Sequence, residues 1–324
     1  MAITNLIKYN SHLSNGIILA TKKHFFIQQS KKQLLLGVDI GTYAIRLIGL
    51  SLDNHRLRLE LCTKIILSQN SSDKEIATTI KQQLDNHKIL FKKAAVAIAA
   101  SHVLFKKLNV TNLQSRRTME EFILFNIVQE MKLQQKEINY TYEFSSNHAN
   151  IKSANIVAVK RSYVIKLEKL LYASGLMAKI VDVDNYVLLR AIHHTAKDLQ
   201  YPILIINIEE QRVIYIIANQ EINSPEYTEI LENIDTTNCS IITESTIAKL
   251  KDLATRMPIK QVMLGGNRKI IENLAGVIAE KHVAPCDPLA KLPCSDTLDR
   301  ATVDQLSPEM LIAFGLALRI QDEN

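Results

Sequence analysis

Leu36-Gly37-Val38-Asp39-Ile40-Gly41-Thr42-Tyr43-Ala44-Ile45-Arg46-Leu47 is the stretch whose reading decides the fold. Residues 34–40 form a β-rich apolar run, Gly41 and Thr42 mark a tight turn, and residues 45–50 are apolar again. Two such runs around a glycine-containing turn predict an antiparallel hairpin with an acidic residue near its tip. Residues 57–67 read as a third strand after a turn at Asp53-Asn54. The pattern then changes period. Ile76, Ile80 and Leu84 recur every four residues over 73–87, an amphipathic helix, and residues 94–100 follow as a short buried strand.

The middle of the chain alternates helices and strands. Thr118 with Glu121 three residues later has the form of a capping box before Phe122, Phe125, Val128 and Met131. Strands are expected over 140–144 and 155–160. Ser162 is positioned to cap a helix through Val164, Leu167, Leu170 and Leu171, with Gly175 as its C′ residue. A strand over 178–183 leads to a helix carrying Val187, Leu188, Ala191 and Ile192, with Asp184 at its N-cap position. From residue 203 a second hairpin is expected, with strands over 203–208 and 213–218 and a turn over 209–212. Helices follow around Ile247, Leu250 and Leu253, after Gly265-Gly266, and finally over 309–320, where Ser307 and Pro308 suit N-cap and N1. The order describes an α/β chain with a suspected internal duplication.

Composition narrows the function classes. The chain has 324 residues, enough for two lobes of about 150 each. Its net charge of +6 is concentrated in residues 1–33, which carry Lys8, Lys22, Lys23, Lys31 and Lys32 and no acid. The body is therefore near neutral, which argues against direct nucleic-acid binding. Cys62, Cys239, Cys286 and Cys294 lack the spacing of metal or redox motifs and fit a reducing compartment. His193, His194 and Asp198 lack a third well-placed ligand and read as a solvated helix face. No run reaches the roughly 18 residues of a membrane span, and residues 16–20 are too short for a signal-peptide core, so a cytosolic protein is expected.

Six segments, in order, carry a family resemblance: residues 36–47; Ala95-Val96-Ala97-Ile98 with Ser101 and Val103; 170–176; 181–186; 262–266; and 314–319. Together they resemble the PilM family, actin-like cytoplasmic proteins of type IV pilus assembly and of competence machines that take up DNA. The resemblance implies an α/β actin-like ATPase fold of two lobes, each with a mixed sheet flanked by helices. It adds an inserted α/β subdomain in the first lobe. On this chain that means a first lobe at 34–199 with the insertion at about 94–160 and a second lobe at 200–324; the basic arm at 1–33 precedes the part that carries the resemblance, is longer than the family leads one to expect, and reads as a frayed, partly helical arm rather than a lipid anchor. The last helix, 308–320, would return toward the first lobe.

The resemblance also implies a site. The cofactor would be ATP with Mg²⁺. Asp39 would act on the metal through water, Gly41 and Thr42 would meet phosphate, and Arg46 would face phosphate or solvent. Gly265, Gly266 and Asn267 would form the adenine-side turn. The second hairpin departs from the family's D-x-G: Asn207 stands for the carboxylate and Glu209 for the glycine. An amide neither serves as base nor neutralises Mg²⁺. A like-charge pair at ~4 Å and an effective dielectric of 20 costs about 4 kcal/mol, so a weakened or lost grip on ATP and no hydrolysis are expected. The adenosine-side helix is expected to be shortened to 245–256.

The implied partner is a PilN-like single-pass membrane protein, whose N-terminal tail would dock beside the inserted subdomain. Pilus motor ATPases are further partners. The protein would be a cytoplasmic scaffold recruited to the inner face of the inner membrane, with peripheral membrane contact. The competing readings are a nucleotide-binding ATPase of the same fold and an FtsA-like filament former tethered by its basic arm.

Overall fold

The computed structural model describes residues 33–323 except 69–70, 88–89, 111–114, 147–151, 197, 220–224, 226, 233, 235–238 and 279–281. The arm at 1–32 lies outside the described residues. The chain opens with β1 (Gln33–Ile40), β2 (Ala44–Asp53) and β3 (Arg56–Ile66), an antiparallel meander as the alternating turn signals require. A bulge after Gly49 inserts one extra residue into β3. Helix α1 (Asp73–Asp85) starts at Ser72, whose side chain and that of Glu75 form a reciprocal capping box. Strand β4 (Lys93–Ile98) then returns parallel to β1.

A separate antiparallel sheet follows. It consists of β5 (Val103–Asn109), β6 (Ile138–Ser146) and β7 (Lys152–Lys160) in the order β5-β7-β6, with α2 (Arg116–Met131) on one face. The expected start of this insertion at 94 falls inside β4, which pairs with β1 in the first sheet; the separate sheet begins at Val103. Helix α2 begins two residues before the expected cap. Ser115, not Thr118, is the N-cap, and its hydroxyl accepts from the Thr118 amide, while Lys132 ends the helix in the left-handed region. Next come α3 (Arg161–Ala173), β8 (Met177–Val183) and α4 (Asp184–Thr195). Lys160 is the N-cap residue of α3, so Ser162 lies inside the helix rather than capping it. Gly175 follows at φ 81°, and the Leu176 and Gly175 amides donate to the carbonyls of Leu171 and Tyr172, the Schellman closure.

The second half repeats the plan. Strands β9 (Ile203–Ile208), β10 (Arg212–Ala218) and β11 (Tyr227–Glu232) form a meander. After α5 (Cys239–Arg256), β12 (Gln261–Gly266) lies parallel to β9; after α6 (Arg268–Val277), β13 (His282–Pro285) lies parallel to β12. The sheet orders β3-β2-β1-β4-β8 and β11-β10-β9-β12-β13 match strand for strand. Helix α5 begins six residues before the expected 245 and is longer by that much than the expected 245–256.

The chain ends with α7 (Arg300–Leu306), a 3-10 turn over Ser307–Met310, α8 (Leu311–Ala317) and a final 3-10 stretch. Ser307 does not cap α8. Its hydroxyl is turned back to accept from the Leu289 amide, and Pro308 sits in the 3-10 turn.

Hydrophobic burial sets the layers. Leu35, Ile48 and Leu50 of the first sheet, Ile203, Ile205, Ile214 and Ile216 of the second, and the apolar faces of α4 and α8 form one continuous core. Both helices therefore lie between the two sheets. The outer face of the first sheet packs on α1 and α3, and that of the second on α5 and α6. Helix α8 approaches β1 so closely that a Cβ on Gly37 would sit 2.0 Å from the Ala313 carbonyl oxygen. Only glycine fits there.

Candidate functional site

The duplication brings the tips of two equivalent hairpins, β1–β2 and β9–β10, face to face in the cleft between the sheets. Register alone places Asp39 opposite Arg46 on the first. The Arg46 guanidinium is essentially fully buried and donates from Nη1 to Asp39 Oδ2 at 3.3 Å. Its Nη2 donates across the cleft to both carboxylate oxygens of Glu210, at 2.8 and 2.6 Å. Lys64 of β3 joins the same carboxylate at 2.8 Å and also pairs with Glu309.

A second set lies beside it. The Asn207 amide donates to Glu209 Oε1 at 2.9 Å, and the Arg212 guanidinium holds Glu209 from Nε and Nη2, each at 3.0 Å. Arg212 Nη1 reaches Asp184 Oδ2 at 2.9 Å, while Asp184 Oδ1 accepts from the Ala100 amide at 2.9 Å. Asp184 is therefore not the cap of α4, whose N-cap position is Val183. Its carboxylate is drawn away from the helix end by a cation 28 residues on.

Electrostatics follow from burial. Asp39 is buried beside Glu209, and its carboxyl is pushed up to about 7 against the pull of Arg46. Burial likewise raises Asp184 to about 6. Burial also opposes charge on Glu210, but Arg46 and Lys64 outweigh it and bring the carboxyl down to about 2. Arg46 and Arg212 are pushed further up by the carboxylates around them, against their own desolvation.

The remaining sequence candidates are brought near but carry fold duties. Thr42 is exposed at the turn of the first hairpin. Gly41 closes that turn by donating its amide to Ala44. A Cβ at Gly265 would meet Leu311 Cδ1 at 2.1 Å. Gly266 has φ 104°, and a Cβ there would meet the Ile208 carbonyl oxygen at 1.8 Å. Asn267 caps α6 by accepting from the amides of Lys269 and Ile270. Sequence reasoning missed Lys64, Glu210, Arg212 and Glu309 altogether. The one available signal was the run Glu209-Glu210-x-Arg212 at a turn expected to hold a glycine.

The residues of the second hairpin differ from what ATP with Mg²⁺ would need there. At the first hairpin the Arg46 guanidinium lies beside the turn, its Nη1 3.7 Å from where a Cβ on Gly41 would stand, and a guanidinium is itself a phosphate donor. The second hairpin presents Glu209 and Glu210 to the same region, and Asn207 brings no charge for a metal. Among the described residues no group of three or more His, Cys, Asp or Glu side chains is arranged to hold a metal ion.

Two duplicated sheets enclosing a pair of central helices, with paired hairpins at the cleft, define the actin-like ATPase fold. Among solved structures the chain is similar to that of a PilM-PilN type IV pilus biogenesis complex, at TM-score 0.70 and 14% identity over 88% of this chain and 98% of that one. It is also similar to ethanolamine utilization protein EutJ from Carboxydothermus hydrogenoformans, at TM-score 0.50 and 10% identity over 88% and 89% of the two chains. The model of the family described as type IV pilus assembly protein PilM matches residues 37–221, more than half of the chain. The chain belongs to that family.

Proposed function

We propose that this chain is a scaffold of the type IV pilus assembly platform, binding the cytoplasmic N-terminal tail of a PilN-like membrane protein and held by it at the inner face of the inner membrane. The observation that carries the reading is the seam between the inserted sheet and the first lobe. Val157 and Val159 bury one face of that sheet in the first lobe's core. On the same face Phe105 stays 39% exposed, 5.9 Å from the Tyr186 ring on α4. At the neighbouring end of β5, His102 stacks on Tyr163 at 4.6 Å. A row of accessible aromatics beside a short antiparallel sheet suits an extended peptide, which gains main-chain hydrogen bonds and side-chain pockets together. The similarity to a PilM-PilN complex over nearly the whole chain supports the same reading.

In this reading the two lobes divide near residue 200 as the family implies, with the inserted sheet beginning at Val103. Asp39, Gly41 and Thr42 of the first hairpin, with Gly265, Gly266 and Asn267, are the trace of a nucleotide site that no longer holds ATP with Mg²⁺.

The test is titration of the full chain with a peptide of the PilN-like tail. Saturable binding is expected, weakened at least about tenfold, or 1.4 kcal/mol, by Phe105→Ala. Failure to saturate as the peptide approaches 1 mM, weaker than about 4 kcal/mol, would overturn the reading.

A further inference from the structure

The misfit between the cleft and a nucleotide has a positive counterpart, independent of any peptide partner. Glu210 comes from the second lobe, yet two of its cationic contacts, Arg46 and Lys64, belong to the first. Lys64 continues to Glu309 beside α8. Arg212 of the second lobe is bound to Asp184 of the first, and away from the hairpins Ser101 donates to Glu232 and Asn185 to Thr228. The hairpin tips therefore meet through side-chain charge, in the region where an actin-like protein of this family would place a phosphate group between them.

The geometry points to a tethered ligand: we propose that the Glu210 carboxylate takes the part of a bound phosphate, clamping the two hairpins together so that the lobes stay closed without nucleotide. A carboxylate held by one guanidinium nitrogen across both its oxygens and by a lysine uses the same donor groups that recognise phosphate. Being covalently attached, it acts at a high effective concentration that free nucleotide has to exceed. Any polyphosphate entering the cleft would displace Glu210 from Arg46 and meet Glu209 as well. The closed state is then a constitutive property of the chain, and opening requires that the carboxylate lose its cations.

Hydrogen exchange on the full chain tests this, read at peptides spanning 39–46 and 205–214, with and without Mg·ATP. The wild type is expected to protect both hairpins equally in the two conditions and to give no heat on titration with Mg·ATP. Glu210→Gln is expected to speed exchange at both hairpins about tenfold while leaving the inserted sheet unchanged. Lys64→Met attacks the same carboxylate from its more exposed side and is expected to act in the same direction. The proposal is overturned if Mg·ATP binds the wild type and adds protection. It is equally overturned if both Glu210→Gln and Lys64→Met exchange at the wild-type rate.

Discussion

Arg46 and Glu210 lie 164 residues apart in sequence and form a two-point contact, with Nη2 of the arginine 2.8 and 2.6 Å from the two carboxylate oxygens. The pair crosses the cleft between two duplicated lobes. Removing the buried cation strips both Asp39 and Glu210 of the guanidinium they share and leaves Lys64 as the cation still paired with Glu210. Breaking one member of a buried ion pair costs about 3–5 kcal/mol. Arg46→Met should lower the unfolding free energy measured by urea titration by an amount in that range. A loss below about 1 kcal/mol would mean that the contact is solvent-screened and contributes little.

The ionisation of Asp39 gives a pH signature. Its folded value of about 7 lies above the ordinary 3.8, because burial and then Glu209 disfavour the anion. The native state therefore holds a proton that the unfolded chain releases. The associated stability is fully present below pH 4 and is lost as pH rises through about 7. Asp184 acts in the same sense between about 4 and 6. Glu210 acts oppositely: its stabilisation is present above 4.5 and lost as pH falls toward 2. Asp39→Asn removes the first effect. Thermal melts should show the variant gaining on the wild type between pH 5 and pH 8, and a constant difference across that range would contradict the assignment.

How far the sequence revealed this arrangement depends on the range of the interaction. The two hairpins were legible because alternation and turn chemistry act over four to eight residues. Asp39, Asn207 and Glu209 could be placed at their tips for the same reason. Local signals also misled. Asp184 has the residue type and position of a helix cap, but its carboxylate is held by Arg212 and the Ala100 amide, and no local rule announces either partner. Thr118 and Ser162 failed as caps because Ser115 and Lys160 begin their helices earlier. Lys64 and Glu309 pair across 245 residues, a contact that exists only once α8 has been laid between the sheets. The glycines tell the same story. Gly265 and Gly266 invited a ligand reading, whereas the packing of Leu311 and the Ile208 carbonyl already demands them.

Gly37 and Gly276 should respond oppositely to the same substitution. At Gly37 a methyl group would lie 2.0 Å from the Ala313 oxygen and 2.7 Å from the Ala317 nitrogen, both backbone atoms of the α8 region. The helix would have to lift from β1, so Gly37→Ala should cost at least about 3 kcal/mol, the upper end for overpacking. Gly276 lies in α6 with no atom within 4 Å of an added Cβ. Gly276→Ala should raise the unfolding free energy measured by urea titration by about 0.5 kcal/mol through helix propensity and a less flexible unfolded chain. Equal effects at the two positions would remove the steric argument for the seat of α8.

Asn207 offers the sharpest test of the altered hairpin. Its side chain is buried, and its amide donates to Glu209 Oε1 at 2.9 Å. Asn207→Asp would bring back the acid that the family pattern leads one to expect. In this cleft it would set two carboxylates at hydrogen-bond distance, so that one must take up a proton. A lost buried donor together with like-charge repulsion should cost about 2–4 kcal/mol at neutral pH, with the loss shrinking on acidification. Glu209→Gly in the same chain removes the second carboxylate and leaves Arg212 still paired with Asp184. The double variant should therefore be more stable at neutral pH than the sum of the two single changes predicts. A double-mutant cycle measured by urea unfolding gives this coupling directly. Strict additivity would mean that Asn207 and Glu209 do not act on each other and that the amide at 207 is no adaptation to the charge at 209.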